Sequence, residues 1–230
     1  MLDLSNNYTL PAYVHNITLD RIIRLPSFPE FSLEEGYNEG VEALNSVLNP
    51  GTNPFVVPKY EEVKPYYERI EKNANSSEII EFLFKEKKIN EETRHKLDKL
   101  NSIILDREDI ENYDANINDY IKTIQNNPKL SLETVMICIA GANIAISSKN
   151  YWVNAYRDKN SPWNFIFVEE NISDKRLWNW LKKVLITVAC DVVGGALGGA
   201  IGLLASPAGA VAGISVVGGG ASAAATKFQE

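Results

Sequence analysis

Histidine and cysteine are scarce in this chain of 230 residues, which has two of each. No Cys-x-x-Cys or His-x-x-x-His spacing occurs, so the sequence offers no recognisable metal site. Both cysteines, Cys138 and Cys190, have apolar neighbours in the sequence, where a free thiol behaves as a small hydrophobic group. The sequence therefore predicts no metal, no bound cofactor and no disulfide scaffold.

Clusters of basic residues and secretion signals are also missing. The net charge is -7, from 30 acidic and 23 basic side chains, and nucleic-acid binding needs clustered Lys and Arg. We therefore expect no nucleic-acid partner. The first 28 residues contain no basic region followed by an apolar run, so we expect no secretory signal peptide. The predicted location is cytoplasmic before export by a non-classical route, or membrane-associated.

Catalytic signatures are absent as well. The chain has no Gly-x-Ser-x-Gly elbow and no Walker loop. A segment that begins at Asp114 starts like a calcium loop, but it has Asp119 and Gln125 where such a loop needs Gly and Glu. Acidic pairs such as Glu34 and Glu35 stand at predicted helix starts, where they offset the helix dipole. We predict no catalytic residue and no enzymatic activity.

Helical patterns dominate residues 32–173. Ser32 and Glu35 have the spacing of a capping box, which predicts a helix start. Apolar and aromatic residues recur at helical spacing along residues 110–124, which predicts an amphipathic helix. Residues 132–148 are uncharged from 134 onwards, too short a run to cross a bilayer, so we predict a buried central helix. A short strand is predicted only at 165–168.

These patterns predict an all-α fold with three parts. Residues 1–31 carry aromatic residues and three prolines without a sustained period, so we predict an extended N-terminal arm. Residues 32–173 form a helical head domain. Residues 174–230 form a glycine-rich helical hairpin.

The end of the chain is the most unusual segment. Between Asp191 and Lys227 lie 35 residues without a charge, and they contain ten of the fourteen glycines. Each glycine inside a helix costs about 1 kcal/mol relative to alanine. Such a helix therefore needs a partner surface, either protein or lipid.

Helical winding at 100° per residue collects the small residues of this segment on one face, opposite Val193, Leu197 and Ile201. A small-residue groove lets another helix backbone approach closely. Asp191 lies in the groove, and we expect it to face a bundle interior or a water-filled path, because lipid exposure costs roughly 3 kcal/mol or more. The predicted membrane or oligomer interface comprises Asp191, Gly194, Gly195, Gly198, Gly199, Gly202, Gly209 and Gly213.

Ser206 and Pro207 interrupt the segment and divide it into two arms. Residues 184–205 and 208–225 would span about 33 Å and about 27 Å at 1.5 Å per residue, close to the bilayer core of about 30 Å. The outer ends carry aromatic and basic residues, which are typical of a membrane interface. The predicted interfacial anchors are Trp178, Trp180, Lys182, Lys183 and Lys227.

The glycine spacing resembles that of the glycine-zipper peptides among bacterial bacteriocins and of other glycine-zipper membrane segments. The resemblance rests on Gly194-x-x-x-Gly198-x-x-x-Gly202, on Gly195-x-x-x-Gly199 and on Gly209-x-x-x-Gly213, and it covers about 40 residues. It implies a membrane segment that self-associates. The segment SSKNYW at 147–152, ahead of such a tail, is similar to segments of uncharacterised bacterial helical proteins, which imply no activity.

Two hypotheses follow. In the first, the protein associates with membranes as a pore-forming or bacteriocin-like antibacterial protein; the head stores or delivers the hairpin, which inserts and forms a homo-oligomer. Asp191 would then line a polar path or act as an insertion switch when protonated. In the second, the protein is a soluble structural or interaction protein, a subunit or cargo of an assembly, whose hairpin packs against partner helices within a bundle. An enzyme whose site the sequence does not reveal is a weaker third hypothesis.

Overall fold

The computed structural model describes residues 8–48, 57–72, 75–106, 110–163, 174–203, 213–221 and 225, with backbone alone at 110, 174–183 and 201–203. The fold is all-α, as predicted, and these residues contain no strand. The helices are α1 (Leu10–Ile22), α2 (Leu33–Val47), α3 (Tyr60–Lys72), α4 (Ser76–Lys85), α5 (Glu91–Ile104), α6 (Tyr113–Gln125), α7 (Leu132–Arg157) and α8 (Asp174–Leu203). A 3-10 turn, Ile110–Asn112, precedes α6, and residues 213–221, here called the second arm, are also helical. The strand predicted at 165–168 lies outside the described residues.

Side-chain caps define where several helices begin. The Ser32 hydroxyl accepts a hydrogen bond from the Glu35 backbone N–H (3.1 Å), and the Glu35 carboxylate accepts one from the Ser32 N–H (2.6 Å). This reciprocal pair confirms the predicted capping box of α2. Asn75, Asn90 and Ser131 cap α4, α5 and α7 in the same way, each accepting from the backbone N–H three residues on. Because each such cap contributes about 1 kcal/mol, these boundaries are encoded locally.

The prediction of an extended N-terminal arm is wrong at residues 10–22, which form α1. Pro11 lies in the first turn, where a proline needs no backbone N–H and fits the helical φ angle. The residues at 10, 14, 18 and 22 recur every four positions and are all buried. Because Thr18 is one of them, this stripe is not purely apolar. The aromatic residues and prolines around it made the helical period hard to recognise in the sequence.

The amphipathic helix predicted at residues 110–124 is present as the 3-10 turn followed by α6. α6 buries Tyr113, Ile117, Tyr120 and Ile124, which lie on one helical stripe. Its other face is mostly exposed. α6 therefore covers the interior from one side and carries the polar surface on the other.

α7 and α8 form the centre of the molecule and pack against each other more extensively than any other pair of described helices. α1, α5 and α6 pack against α7, and α3, α4 and α5 pack against α8. We refer to α1–α6 as the shell helices. One hydrophobic cluster extends from Leu10 to Ala225, so the head and the hairpin share a core. The division into three parts stays a prediction.

Within the described ranges, α7 meets the length and composition expected of a membrane-crossing helix, with a mean hydropathy of 1.2 over 18 residues. Of that window, 61% is buried inside the protein. α8 contains a shorter apolar stretch, Val184–Ala200. Length and composition alone do not separate a membrane helix from the core helix of a bundle.

Candidate functional site

α8 and the second arm pack against each other as an antiparallel helical hairpin. Gly194 faces Gly218 and Ala221, whereas Gly198, one turn further along α8, faces Gly213. Positions that increase along α8 therefore pair with positions that decrease along the second arm. The glycine groove predicted from helical winding is occupied by another segment of the same chain.

The closest approach is at Gly198 and Gly213. A methyl group placed on either glycine would overlap the backbone carbonyl of the other, so the two helix backbones are in contact here. A substituent on Gly194 would likewise overlap the side chain of Ala221. Glycine is required at these positions by the proximity of a second helix.

The remaining glycines of α8 face two neighbours. A Cβ atom on Gly195 would lie 3.0 Å from Ile144 Cδ1 of α7 and 3.2 Å from Ile214 Cγ2 of the second arm. Gly199 faces Ile137 and Ile214 in the same manner, at 3.2 and 2.8 Å. The glycine face thus serves both the hairpin contact and the contact with the central helix α7.

The shell helices also reach the second arm through its glycines. A Cβ atom on Gly219 would lie 2.7 Å from Thr18 Cγ2 of α1, and one on Gly220 would overlap the Tyr67 hydroxyl of α3. The same Tyr67 hydroxyl donates a hydrogen bond to the Val217 carbonyl at 3.2 Å. All residues from 213 to 221 are buried. The second arm is therefore enclosed between α8 and the shell.

The structure brings together six of the predicted interface residues, namely Asp191, Gly194, Gly195, Gly198, Gly199 and Gly213. Gly202 lies in α8, but its surroundings are outside the described part of the chain. Trp178, Trp180, Lys182 and Lys183 also lie in α8, and their side chains are outside it. Gly209, Lys227 and the predicted hinge at Ser206 and Pro207 lie outside the described residues.

Asp191 is fully buried, with no exposed side-chain surface. Its Oδ2 atom accepts a hydrogen bond from His15 Nε2 of α1 (3.1 Å) and one from Ser148 Oγ of α7 (2.5 Å). Its Oδ1 atom is buried and has no hydrogen-bond partner within the described part of the chain. One carboxylate oxygen on the hairpin therefore connects α8 to both α1 and α7.

His15 is buried and flanked by acceptors on both sides. Its Nε2 faces Asp191, and its Nδ1 lies 2.9 Å from Asn16 Oδ1. Two acceptor oxygens are matched only by a ring with an N–H at each nitrogen, which is the imidazolium form. Burial alone would lower the pKa of His15, but the charge of Asp191 and the hydrogen bonds that the ring donates to Asp191 and Asn16 raise it above the ordinary value of 6.5. When its ring is protonated, His15 therefore forms a buried ion pair with the Asp191 carboxylate.

The neighbouring ionisable groups stay neutral. Burial, followed by the charge of Asp191, raises the pKa of the Cys190 thiol. Burial, followed by Asp114 and then Asp191, raises the pKa of the Tyr113 phenol. Ser148 donates to the carboxylate rather than to the histidine, so the arrangement lacks the serine-to-histidine hydrogen bond that activates a nucleophile. The geometry is that of a proton-sensitive connection between helices.

Sequence reasoning missed His15 and Ser148. His15 lies 176 positions from Asp191 and Ser148 lies 43 positions away, so no local spacing links them. One signal was available: a carboxylate inside an uncharged segment needs a partner when buried, and a histidine is one of few residues that can provide a charge there. The assignment of residues 1–31 to an extended arm hid that partner.

No group of three or more metal-ligating side chains occurs among the residues that the structure describes. The chain matches no protein-family model, no curated protein and no solved structure. The hairpin and its buried contact between His15 and Asp191 are therefore the features that bear on function.

We predict that Gly198→Ala destabilises the fold by about 2 kcal/mol, because the overlap with Gly213 outweighs the helix propensity gained. Gly218→Ala is the matched control, since its Cβ atom would be 3.4 Å from both Asp191 O and Ile144 Cδ1. The control is expected to be neutral or stabilising by up to about 1 kcal/mol. Urea unfolding monitored by circular dichroism measures the free energy of unfolding of both variants. Equal effects of the two substitutions would contradict the close contact.

We also predict a specific dependence of stability on pH. Because the pKa of His15 is higher in the folded state than in the unfolded state, its contribution is fully present below about pH 6.5 and is lost as pH rises through the folded pKa. The free energy of unfolding should fall by up to about 1.4 kcal/mol per pH unit above pH 6.5. Urea unfolding between about pH 6 and 8 measures this slope.

Two variants identify the group responsible for this slope. His15→Gln should remove it. His95→Gln should keep it, because His95 is 61% exposed on α5. A slope that persists in His15→Gln would assign the pH dependence to another group.

Proposed function

We propose that this protein stores a membrane-inserting helical hairpin inside a bundle of shell helices, and that the released hairpin inserts into a bilayer and permeabilises it. The supporting observation is that the hairpin's buried charge has its partners on other helices. Within residues 184–203 and 213–221 Asp191 is the one charged residue, and its partners, His15 and Ser148, belong to α1 and α7. Once that carboxylate is neutral, these two ranges carry no charge.

Residues 184–200 of the hairpin differ from an ordinary amphipathic helix in lacking an exposed polar face. α6 buries one stripe and exposes the other, whereas residues 184–200 are buried all around, apart from the partly exposed Ile186. Helices that are apolar on every side occur in the centres of large proteins and in membranes. The first predicted arm, at about 33 Å, matches the bilayer core of about 30 Å. A bilayer is therefore an environment in which this hairpin needs no shell.

The glycine contacts support self-association after release. The contact between Gly198 and Gly213 is internal to the hairpin, so it moves with the hairpin. Gly195 and Gly199 also face Ile144 and Ile137 of α7, and this second contact is lost if the hairpin leaves. Small residues freed in this way let another helix approach in lipid, where close packing drives association. We therefore propose a homo-oligomer in the membrane.

A soluble interaction protein is the second candidate. The observation that favours it is that the glycine groove is already filled within the chain, so the folded state needs neither lipid nor a second copy. In that case the hairpin would be a permanent core element. A bacteriocin-like antibacterial role belongs to the first candidate, and the two differ in what the protein does with vesicles.

We expect the full chain to sediment with vesicles of phosphatidylethanolamine and phosphatidylglycerol and to release a trapped dye at about pH 4.5. At about pH 7.5 we expect little release, because the hydrogen bonds from His15 and Ser148 to Asp191 hold the hairpin in the shell. Absence of both binding and release between about pH 4 and 8 would leave the soluble interaction protein as the better proposal.

Tryptophan quenching by brominated lipids tests which segment inserts. The chain has four tryptophans; Trp152 and Trp163 are buried in the head, and Trp178 and Trp180 begin α8. We expect quenching at about pH 4.5 that is lost in the variant Trp178→Phe/Trp180→Phe. The matched variant Trp152→Phe/Trp163→Phe should retain it. The reverse result would place the head, and not the hairpin, in the bilayer.

A further inference from the structure

We propose that His15, Ser148 and Asp191 form a proton-controlled latch between α1, α7 and the hairpin, which opens when Asp191 takes up a proton. Its consequence, release of the hairpin to a bilayer, rests on the proposed function. The latch itself is a property of the folded protein and acts without a membrane.

α1 is positioned to act as the moving part. His15 contacts Asp191 of α8, and Thr18, one turn further along α1, contacts Gly219 of the second arm. α1 therefore touches both arms of the hairpin. Ser148 adds a bond from the central helix α7 to the same carboxylate oxygen. Loss of the ion pair would remove a charged contact that α1 makes with α8.

Protonation of Asp191 would favour release of the hairpin in two ways, through His15 and through the hairpin itself. The carboxyl group becomes neutral, and the imidazolium of His15 is left in the interior without a counter-charge, which is strongly destabilising for a buried ion. Movement of α1 into water restores the hydration of that cation. The same proton removes the one charge from the apolar part of the hairpin, and with it the main cost of transferring Asp191 to lipid.

The latch is directional. At high pH His15 loses its proton and Asp191 remains charged in the interior, which weakens the fold but keeps a charge on the hairpin. Low pH opens the contact with a neutral hairpin, and high pH opens it with an anionic one. Insertion is therefore expected only on the acid side, although stability falls on both sides.

Among the residues that the structure describes, no other ionisable group near the carboxylate competes for this role. Tyr113 of α6 and Cys190 of α8 face the carboxylate, and both stay neutral because burial and nearby charge oppose their ionisation. Lys149 follows Ser148 in the chain, but its Nζ bonds Asp114 at 2.6 Å. The described second arm contains no ionisable side chain. The contact between His15 and Asp191 is thus the ionic contact of the latch.

Protons can reach this buried couple through a polar groove between α1 and α7. The groove has a volume of about 500 Å³, and Asn16 and Ser147 are among its lining residues. Asn16 also accepts the hydrogen bond from His15 Nδ1, so the groove lies one hydrogen bond from the imidazole. Asp20 and Asp158 line the same groove, whose lining contains no Lys, Arg or His. An acidic groove favours the arrival of protons.

The test follows α1 and dye release as pH is lowered. Hydrogen exchange of the α1 backbone, corrected for intrinsic rates, reports opening without vesicles, and dye release reports insertion. Asp191→Asn places a neutral side chain at this position at every pH. The pH midpoint of α1 exchange and that of dye release should therefore both rise by about one pH unit or more. Ser148→Ala removes one hydrogen bond from the carboxylate and should move them up by less. Asp98→Asn, an exposed change on α5, should leave them unchanged.

The double variant His15→Gln/Asp191→Asn replaces the ion pair by a neutral hydrogen-bonding pair. Its α1 exchange should not depend on pH between about 4 and 7.5, which keeps the proposal testable if Asp191→Asn alone does not fold. Wild-type midpoints in Asp191→Asn, or a persistent pH dependence in the double variant, would overturn the latch. Opening of α1 with the expected shifts but without vesicle binding or dye release would support the latch and overturn the proposed membrane function.

Discussion

The contact between Gly198 and Gly213 is the constraint on which the hairpin depends. Two helices whose backbones touch occupy less width than two helices separated by side chains, so the pair can be enclosed by short shell helices. Because the second arm also presents bare backbone outwards, Thr18 and Tyr67 reach it directly. Glycine, a poor residue for an isolated helix, is here the residue that makes a compact centre achievable.

The buried ion pair adds a different kind of constraint. Apolar packing is tolerant of small shifts, whereas a carboxylate without its partner in the interior is strongly unfavourable. The bonds from His15 and Ser148 therefore define one arrangement of α1 and α7 relative to Asp191. They also make that arrangement sensitive to protons, since the charge of His15 can be removed by titration. Apolar packing contributes most of the stability of the fold, and the pair makes that stability depend on pH.

These two features together relate the fold to the proposed function. A hairpin that is apolar on every side needs either a shell or a bilayer, and the groove between its arms is already filled in the folded state. Storage within the shell keeps such a segment from associating with other molecules in water. In the proposed function, a single buried carboxylate with partners on other helices would control when the hairpin is released.

Local features were determined by the sequence alone. The capping box of α2, the single caps of other helices, the stripe of α6 and a glycine face on α8 that includes Asp191 all follow from local rules. These rules are the helical period and side-chain bonds within three or four residues. The tertiary structure decided what the periodicity could not. It decided that the groove is filled by the second arm and by α7, that residues 10–22 form a helix, and that Asp191 meets His15 and Ser148. The physical reason is that a helical pattern defines a face but not its occupant, which is chosen by contacts between segments far apart in the chain.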